Sequence, residues 1–231
     1  MSESAQQLDA SKYDEMMKAG MHYGRKRTVF SPNMRPFVYT SKENIYIIDL
    51  IKTADLLASA VEFLDKAVKE GKIILFVGIT KQSSDIVKQT AKDLNMPYVV
   101  GRWIGGTLTN FKTIISRVKH LEQLEKKLAS EEEVAAYTKK EKLMMERELI
   151  AVRNRFEGIR NMTRLPDVIF VSSLKESQLP IREAKITGIK TVGVVNTDSD
   201  PKELDCPIPA NDNARSSVEF ILNAIKNSLK S

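Results

Sequence analysis

Gly71-Lys-Ile-Ile-Leu-Phe-Val-Gly-Ile-Thr-Lys81 is the stretch that decides the fold. Ile73–Val77 (IILFV) is apolar at every position and too short for a buried helix, as expected of a strand covered on both faces. Gly78 ends the run as a tight-turn residue. Thr80 or Ser83 can then cap the amphipathic pattern that follows at 81–94. Outward from this unit the same alternation recurs. Ile45–Asp49 (IYIID), Tyr98–Val100, Val168–Val171 (VIFV) and Thr191–Val195 (TVGVV) read as strands. Helical periodicity returns at 53–69, 177–187 and 213–229, with Gly71, Pro97, Pro166 and Gly188 marking boundaries. Strands alternating with helices imply right-handed βαβ units, a parallel sheet and a three-layer α/β domain. Phe37–Thr40 is expected to pair with the chain near Ile45 as a small hairpin before the first full unit.

The alternation stops at 112–160, where two helical patterns follow one another without a strand. Ile114, Val118, Leu121 and Leu128 mark one stripe, interrupted at Glu125 with Leu124 beside it. Met145, Leu149, Val152, Phe156 and Ile159 mark the other, and Ala129–Thr138 can turn the chain between them. Two narrow stripes joined by a short connection predict an inserted antiparallel coiled-coil hairpin at 112–160. The body would then be 1–111 and 161–231. At ~1.5 Å per residue each helix would be about 30 Å long and project from the body. The alternative is that both helices pack on the sheet as ordinary layer helices.

The formal net charge of +6 is regional. Residues 16–42 hold six basic side chains (Lys18, Arg25, Lys26, Arg27, Arg35 and Lys42) and no acid, and the rest of the chain is charge-balanced. A second acid-free stretch, 94–121, carries Arg102, Lys112, Arg117 and Lys119. In 16–42 the cations are interleaved with His22, Tyr23, Phe30, Phe37 and Tyr39, and with glycines and prolines that keep the backbone irregular. Cations neutralise phosphates and exposed aromatics stack on unpaired bases, so the segment reads as an RNA-binding surface. One of Phe37 and Tyr39 is expected to serve the strand core instead. The loop Gly101–Asn110 (GRWIGGTLTN) holds the only tryptophan, Trp103, with Gly105-Gly106, and Thr109 or Asn110 placed to cap the first hairpin helix. Trp103 there can anchor the hairpin root or meet RNA.

Catalytic constellations are missing from the sequence. Neither GxGxxG nor GxxxxGK[ST] occurs, although Gly78–Ser83 leaves a nucleotide-dependent enzyme as the rival reading. There is no nucleophile elbow, and Cys206, the only cysteine, rules out an internal disulfide. His22 and His120 have no evident acid–base partner. Asp198, Asp200, Asp205 and Asp212 form a loose carboxylate group that turn and capping roles explain more simply than a cation. No run approaches a membrane span, and the first 24 residues resemble neither a secretory signal nor a transit peptide.

Several motifs together resemble the small-subunit ribosomal protein S-two family. They are Gly20-x-His22-Tyr23-Gly24, Ser31-Pro32-x-Met34-x-Pro36, Ile47-Ile48-Asp49-Leu50-x-Lys52-Thr53 and Phe76-Val77-Gly78-x-Thr80-Lys81. Arg102–Asn110 (RWIGGTLTN), Leu165-Pro166-Asp167 and Ile208–Ala214 (IPANDNA) complete the series, in family order from about residue 12 to 229. The resemblance implies a flavodoxin-like five-stranded parallel sheet with an inserted coiled-coil hairpin of the bacterial and organellar type. It implies a non-enzymatic constituent of the small ribosomal subunit, without cofactor, membrane or small-molecule substrate. Ribosomal RNA and neighbouring ribosomal proteins, ribosomal protein S-one among them, would be its partners, in the cytoplasm or in an organelle that encodes it. His22, Tyr23, Arg25, Lys26, Arg27, Arg35, Arg102, Lys112 and Arg117 are the residues expected at RNA, with Trp103, Gly105, Gly106 and Asn110 shaping the loop. The chain departs from the family pattern at Arg25, usually histidine, and at Asn196 and Asn213, usually aspartate. Some members have a metal linked to acidic residues in 196–212; Asp198 and Asp212 are the candidates left here, and none is expected. A free RNA-binding regulator is the third reading.

Overall fold

The computed structural model describes residues 13–130 and 137–230. Its strands are β1 Tyr23–Lys26, β2 Val38–Lys42, β3 Ile45–Ile48, β4 Ile74–Gly78, β5 Tyr98–Val100, β6 Val168–Val171, β7 Lys190–Val195 and β8 Cys206–Pro209. Its helices are α1 Leu50–Lys69, α2 Lys81–Asp93, α3 Phe111–Ala129, α4 Lys139–Phe156, α5 Gln178–Thr187 and α6 Arg215–Leu229, preceded by helical residues at 13–18. Strands β4 to β8 form one parallel sheet in the order β5-β4-β6-β7-β8. Tyr98, Phe76, Phe170, Val192 and Cys206 stand in register across it.

Because side chains alternate along a strand, each buried strand supplies two cores. Ile74, Phe76, Val168 and Phe170 join Leu57, Leu64, Val87, Val218 and Ile221 of α1, α2 and α6 in one cluster. Leu75, Val77, Ile169 and Val171 join Ile181 and Ala184 of α5 in the other, together with Ile114, Val118 and Leu121 of α3. This is the three-layer arrangement that the IILFV run predicts.

Two strand readings need correction. Ile45–Ile48 lies outside the parallel sheet, in a three-stranded antiparallel sheet ordered β1-β3-β2. It does pair with β2 as the expected hairpin, Val38 opposite Ile48 and Lys42 opposite Ile45. The two residues between the strands, Glu43 and Asn44, have φ of 50° and 63°. Positive φ at both central positions is what a type I′ hairpin turn requires. The fifth parallel strand is instead Cys206–Pro209, which its prolines disguise. Ala210 N donates to Val195 O, so even-numbered residues face β7 and both prolines face away from it. At a sheet edge, a missing N–H on that side costs nothing. The outward carbonyl of Pro209 accepts the buried Thr53 hydroxyl of α1 at 2.7 Å.

Helices α3 and α4 form the hairpin. α3 leaves the body from the loop after β5. The chain beyond α4 returns to the same strand, where a Cβ at Gly158 would lie 2.1 Å from Tyr98 O. The two therefore run antiparallel, linked by Arg153–Glu125 at 2.7 Å, and Arg160, just beyond α4, reaches the same Glu125 at 2.9 Å. Thr138 and Glu141 close a capping box at the start of α4. Burial declines along the hairpin: Ile114, Val118, Leu121, Phe156 and Ile159 are buried, whereas Leu143, Met144 and Ile150 are exposed. The root is thus part of the second core, and only the distal part stands clear. Of the connection expected at Ala129–Thr138, residues 131–136 lie outside the described residues. No described helix is long and apolar enough to cross a membrane.

Candidate nucleic-acid interface

Contrary to the irregular backbone expected from its glycines and prolines, the basic segment folds as β1, β2 and two 3-10 turns, Arg27–Val29 and Pro32–Phe37, between them, and it is laced to the loops after β7 and β8. Asn211 N donates to Met21 O and Asn211 Nδ2 to Gly20 O. Arg25 N donates to Thr197 Oγ1 at 2.7 Å, and Ser31 N to Thr197 O at 2.8 Å. Asn33 Nδ2 donates to Asp200 Oδ2 at 2.8 Å. Gly24 lets the backbone lie flush there, since a Cβ would come within 2.7 Å of Thr197 Cγ2 and 2.9 Å of Tyr46 O. Met34 is fully buried in the same cluster as Trp103 and Leu108, with Phe30 and Phe37 against its edge. Phe37 is thus the aromatic that serves the core, and Tyr39 stays exposed.

This lacing sorts the cations. Lys26, Arg27 and Arg35 are exposed and make no ion pair among the described residues. Arg102, Lys112 and Arg117 share that state on the β5–α3 loop and the first turns of α3. Arg25 is placed differently. Its guanidinium turns inward to Asp198 and Asp212, and its side chain is only 23% exposed. Tyr23 is exposed, its ring 4.0 Å from that of half-buried His22. Burial holds the His22 imidazole below its ordinary range. Arg35 borders a shallow groove of about 500 Å³ with Phe30, Val38, Thr40, Ser41 and Tyr46. The Phe30 and Tyr46 rings are 4.3 Å apart. Tyr46 was not singled out in the sequence, because it sits on β3 and comes to Phe30 only through strand pairing.

The loop at 101–110 is organised by a residue the sequence reading missed. Glu183 of α5 is 4% exposed and lies inside the loop. Its Oε1 accepts Trp103 Nε1 at 3.0 Å and Gly106 N at 2.9 Å, and its Oε2 accepts Leu108 N at 2.9 Å and Thr109 N at 3.3 Å. Burial pushes this carboxyl up, but the Trp103 and backbone donors outweigh it and leave the group below the usual glutamate range. Gly106, at φ 88°, supplies the left-handed turn that aims its N–H at the carboxylate. Trp103 is therefore a buried anchor rather than a stacking surface. Asn110 takes the N-cap position of α3 without capping it, its amide oxygen accepting the Thr113 hydroxyl instead.

The rival chemistries find structural explanations. Gly78 faces Val87, whose Cβ is 2.8 Å from where its own would stand, so the glycine serves strand–helix packing. At the start of α2, Thr80 and Ser83 hydroxyls hydrogen-bond each other at 2.8 Å, and Ser172 donates to Ser83. Burial pushes the Cys206 thiol up, and Asp205 beside it adds to the rise, which suits neither a nucleophile nor a ligand. Of the four grouped aspartates, Asp200 caps a 3-10 turn at Lys202 N, and Asp205 binds Lys190 and Thr191. Among the described residues no group of three or more His, Cys, Asp or Glu is placed to hold a metal.

The family model described as Ribosomal protein S2 matches residues 16–231. "Small ribosomal subunit protein uS2" of Bifidobacterium animalis subsp. lactis is 40% identical over 209 residues, 90% of this chain and 69% of that protein. The protein of the same name from Coprothermobacter proteolyticus is 40% identical over 93% of this chain and 80% of its own length. "Small ribosomal subunit protein uS2c" of Porphyra purpurea is 39% identical over 93% of this chain and 89% of that protein. Fold, motif order and these matches agree: the chain belongs to the Ribosomal protein S2 family.

Proposed function

We propose that this protein is a non-enzymatic, structural constituent of the small ribosomal subunit that docks on ribosomal RNA through its basic segment. The observation that carries this reading is the exposed set Lys26, Arg27 and Arg35, without ion-pair partners among the described residues, on a segment of short strands and 3-10 turns fixed to the body at many points. Fixed cations at a surface attract phosphate and release counterions on contact. The groove beside Arg35 offers the Phe30–Tyr46 pair to an unpaired base. Arg102, Lys112 and Arg117 extend the surface toward the hairpin root. Tyr23 and His22 flank it, and Arg25 acts through the position it gives Lys26 and Arg27. The names of the relatives support the ribosomal assignment, and the distal hairpin, with Leu143, Met144 and Ile150 exposed, offers a face to a ribosomal neighbour.

Sedimentation of a lysate containing the tagged chain on a sucrose gradient tests this. The chain is expected in the small-subunit fractions at moderate salt, moving to the top after ribonuclease treatment. A chain that stays at the top in untreated lysate is a free protein, and the ribosomal reading then fails. Calorimetry with common nucleotides is expected to show no stoichiometric heat, which separates this function from an enzyme built on Gly78–Ser83.

A further inference from the structure

Asp198 and Asp212 have side chains 1% and 2% exposed. Buried carboxylates so placed need compensating charge and donors to every oxygen. Arg25 Nη2 donates to Asp212 Oδ1 and to Asn213 Oδ1, each at 3.0 Å. Arg25 Nε faces Asp198 Oδ2 at 3.3 Å as an ion pair without hydrogen-bond geometry. Lys175 Nζ donates to the same Asp198 oxygen at 2.8 Å, and Ser199 Oγ lies 3.3 Å from Asp198 Oδ1. Asn196 Nδ2 donates to Asp212 Oδ1 at 2.8 Å and Ser173 Oγ to Asp212 Oδ2 at 2.6 Å. All four carboxylate oxygens are thus engaged, and the two negative charges face two positive ones.

The metal that the family resemblance links to this region does not fit these residues. A divalent cation needs several free oxygen ligands at about 2.0–2.6 Å. Here the approach between the carboxylates is filled by a guanidinium, and Lys175 repels from the side. We infer that the Arg25 guanidinium takes the place of a divalent cation in this chain, so that the basic segment is clasped to the carboxyl end of the sheet without metal. Arg25 is a positioning residue. Its backbone N–H is tied to Thr197 and its side chain to the loops after β7 and β8. The next two residues, Lys26 and Arg27, are left facing outward. The inference concerns the protein alone and stands whether or not that surface meets RNA.

Thermal melts of the full chain test it, using EDTA, magnesium chloride and manganese chloride as probes. Wild type is expected to melt at one temperature in all of them. Arg25→Ala is expected to melt several degrees lower and to regain part of the loss on adding manganese, which can enter between the uncovered carboxylates. Adding Asp198→Asn and Asp212→Asn to Arg25→Ala is expected to raise the melting temperature without any cation, an effect that lost packing alone would not produce. Should Arg25→Ala give no cooperative melt, Arg25→Lys serves. It keeps the charge but loses the fork, and is expected to melt below wild type, to gain nothing from manganese, and to lose more with the same two asparagines, which leave its ammonium and that of Lys175 unpaired. The inference is overturned by a wild type that responds to EDTA or to either cation, or by Arg25→Ala melting with wild type. Failure of the asparagine substitutions to rescue Arg25→Ala, or of manganese to raise its melting temperature, overturns the inference equally.

Discussion

Replacing Glu183 with Gln changes one oxygen into an NH2 and removes one charge, leaving size and shape almost unaltered. In the wild-type chain each oxygen faces two N–H donors, Trp103 Nε1 with Gly106 N at Oε1, and Leu108 N with Thr109 N at Oε2, where the Thr109 hydroxyl is a third donor. Whichever way the new amide turns, its NH2 meets two N–H groups and orphans both. A buried donor without an acceptor costs about 1–3 kcal/mol, and hydrogen bonds to a charged group are each worth about 1.5–3 kcal/mol. Allowing for relaxation of the loop, the loss is on the order of 3 kcal/mol. For a chain of this size that lowers Tm by roughly 6–12 °C. The pH dependence follows from the same contacts. The folded carboxyl titrates below its unfolded counterpart. Its contribution is therefore fully present above the unfolded value and is lost as pH falls through the folded one. The gap between wild type and Glu183→Gln should be widest at neutral pH and close in acid. Trp103, the only tryptophan, reports the site directly: its emission should shift to the red in Glu183→Gln as the loop loosens. A variant that melts within a degree of wild type at neutral pH, with unshifted emission, would show that Glu183 does not organise the loop.

One substitution and two deletions probe the hairpin. Gly158→Ala drives a methyl to within 2.1 Å of the Tyr98 carbonyl, so the backbone must move. A loss of about 1–3 kcal/mol is expected by chemical denaturation, and an unchanged midpoint would mean that the end of α4 does not rest on β5. Replacing 126–148 with a short flexible linker spares Ile114, Val118, Leu121, Leu124, Phe156 and Ile159, and should preserve a cooperative melt within a few degrees of wild type. Among the described residues, deleting 114–157 removes five buried apolar side chains (Ile114, Val118, Leu121, Leu124 and Phe156), each worth about 1.5–3 kcal/mol, and should abolish the cooperative transition. We accordingly propose that the separable unit is shorter than 112–160. Equal behaviour of the two deletions would contradict this.

The sequence made the layers legible because period-two burial and unbroken apolar runs are local properties. IILFV and VIFV could hardly be anything but interior strands. Cys206–Pro209 escaped because a proline-containing strand is allowed only at an edge, and edge position is a property of the whole sheet. Ile45–Asp49 reads as a strand, and Ile45–Ile48 is one, but sheet membership depends on partners that no single segment names. At the interface, the density of cations in 16–42 was visible, whereas their sorting was not. Arg25 differs from Lys26 only in what lies 173 and 187 residues further along the chain. Glu183 did leave a trace. It falls beside Pro180, Ile181 and Ala184 on the buried face of α5, where an acid needs donors. A glycine pair next to the single tryptophan was the matching half of that signal.

The proposed docking of this protein on RNA by fixed, outward-facing cations requires binding that weakens steeply with salt. Small subunits stripped of the protein would be titrated with wild type and with Lys26→Ala/Arg27→Ala/Arg35→Ala across a salt series. Each lost phosphate contact should flatten the plot of log affinity against log salt by roughly 0.7–0.9. The triple variant is expected to bind more weakly, with a slope shallower by about 2–3 and an unchanged melting temperature. Equal affinity and equal slope, in a variant that folds normally, would contradict it.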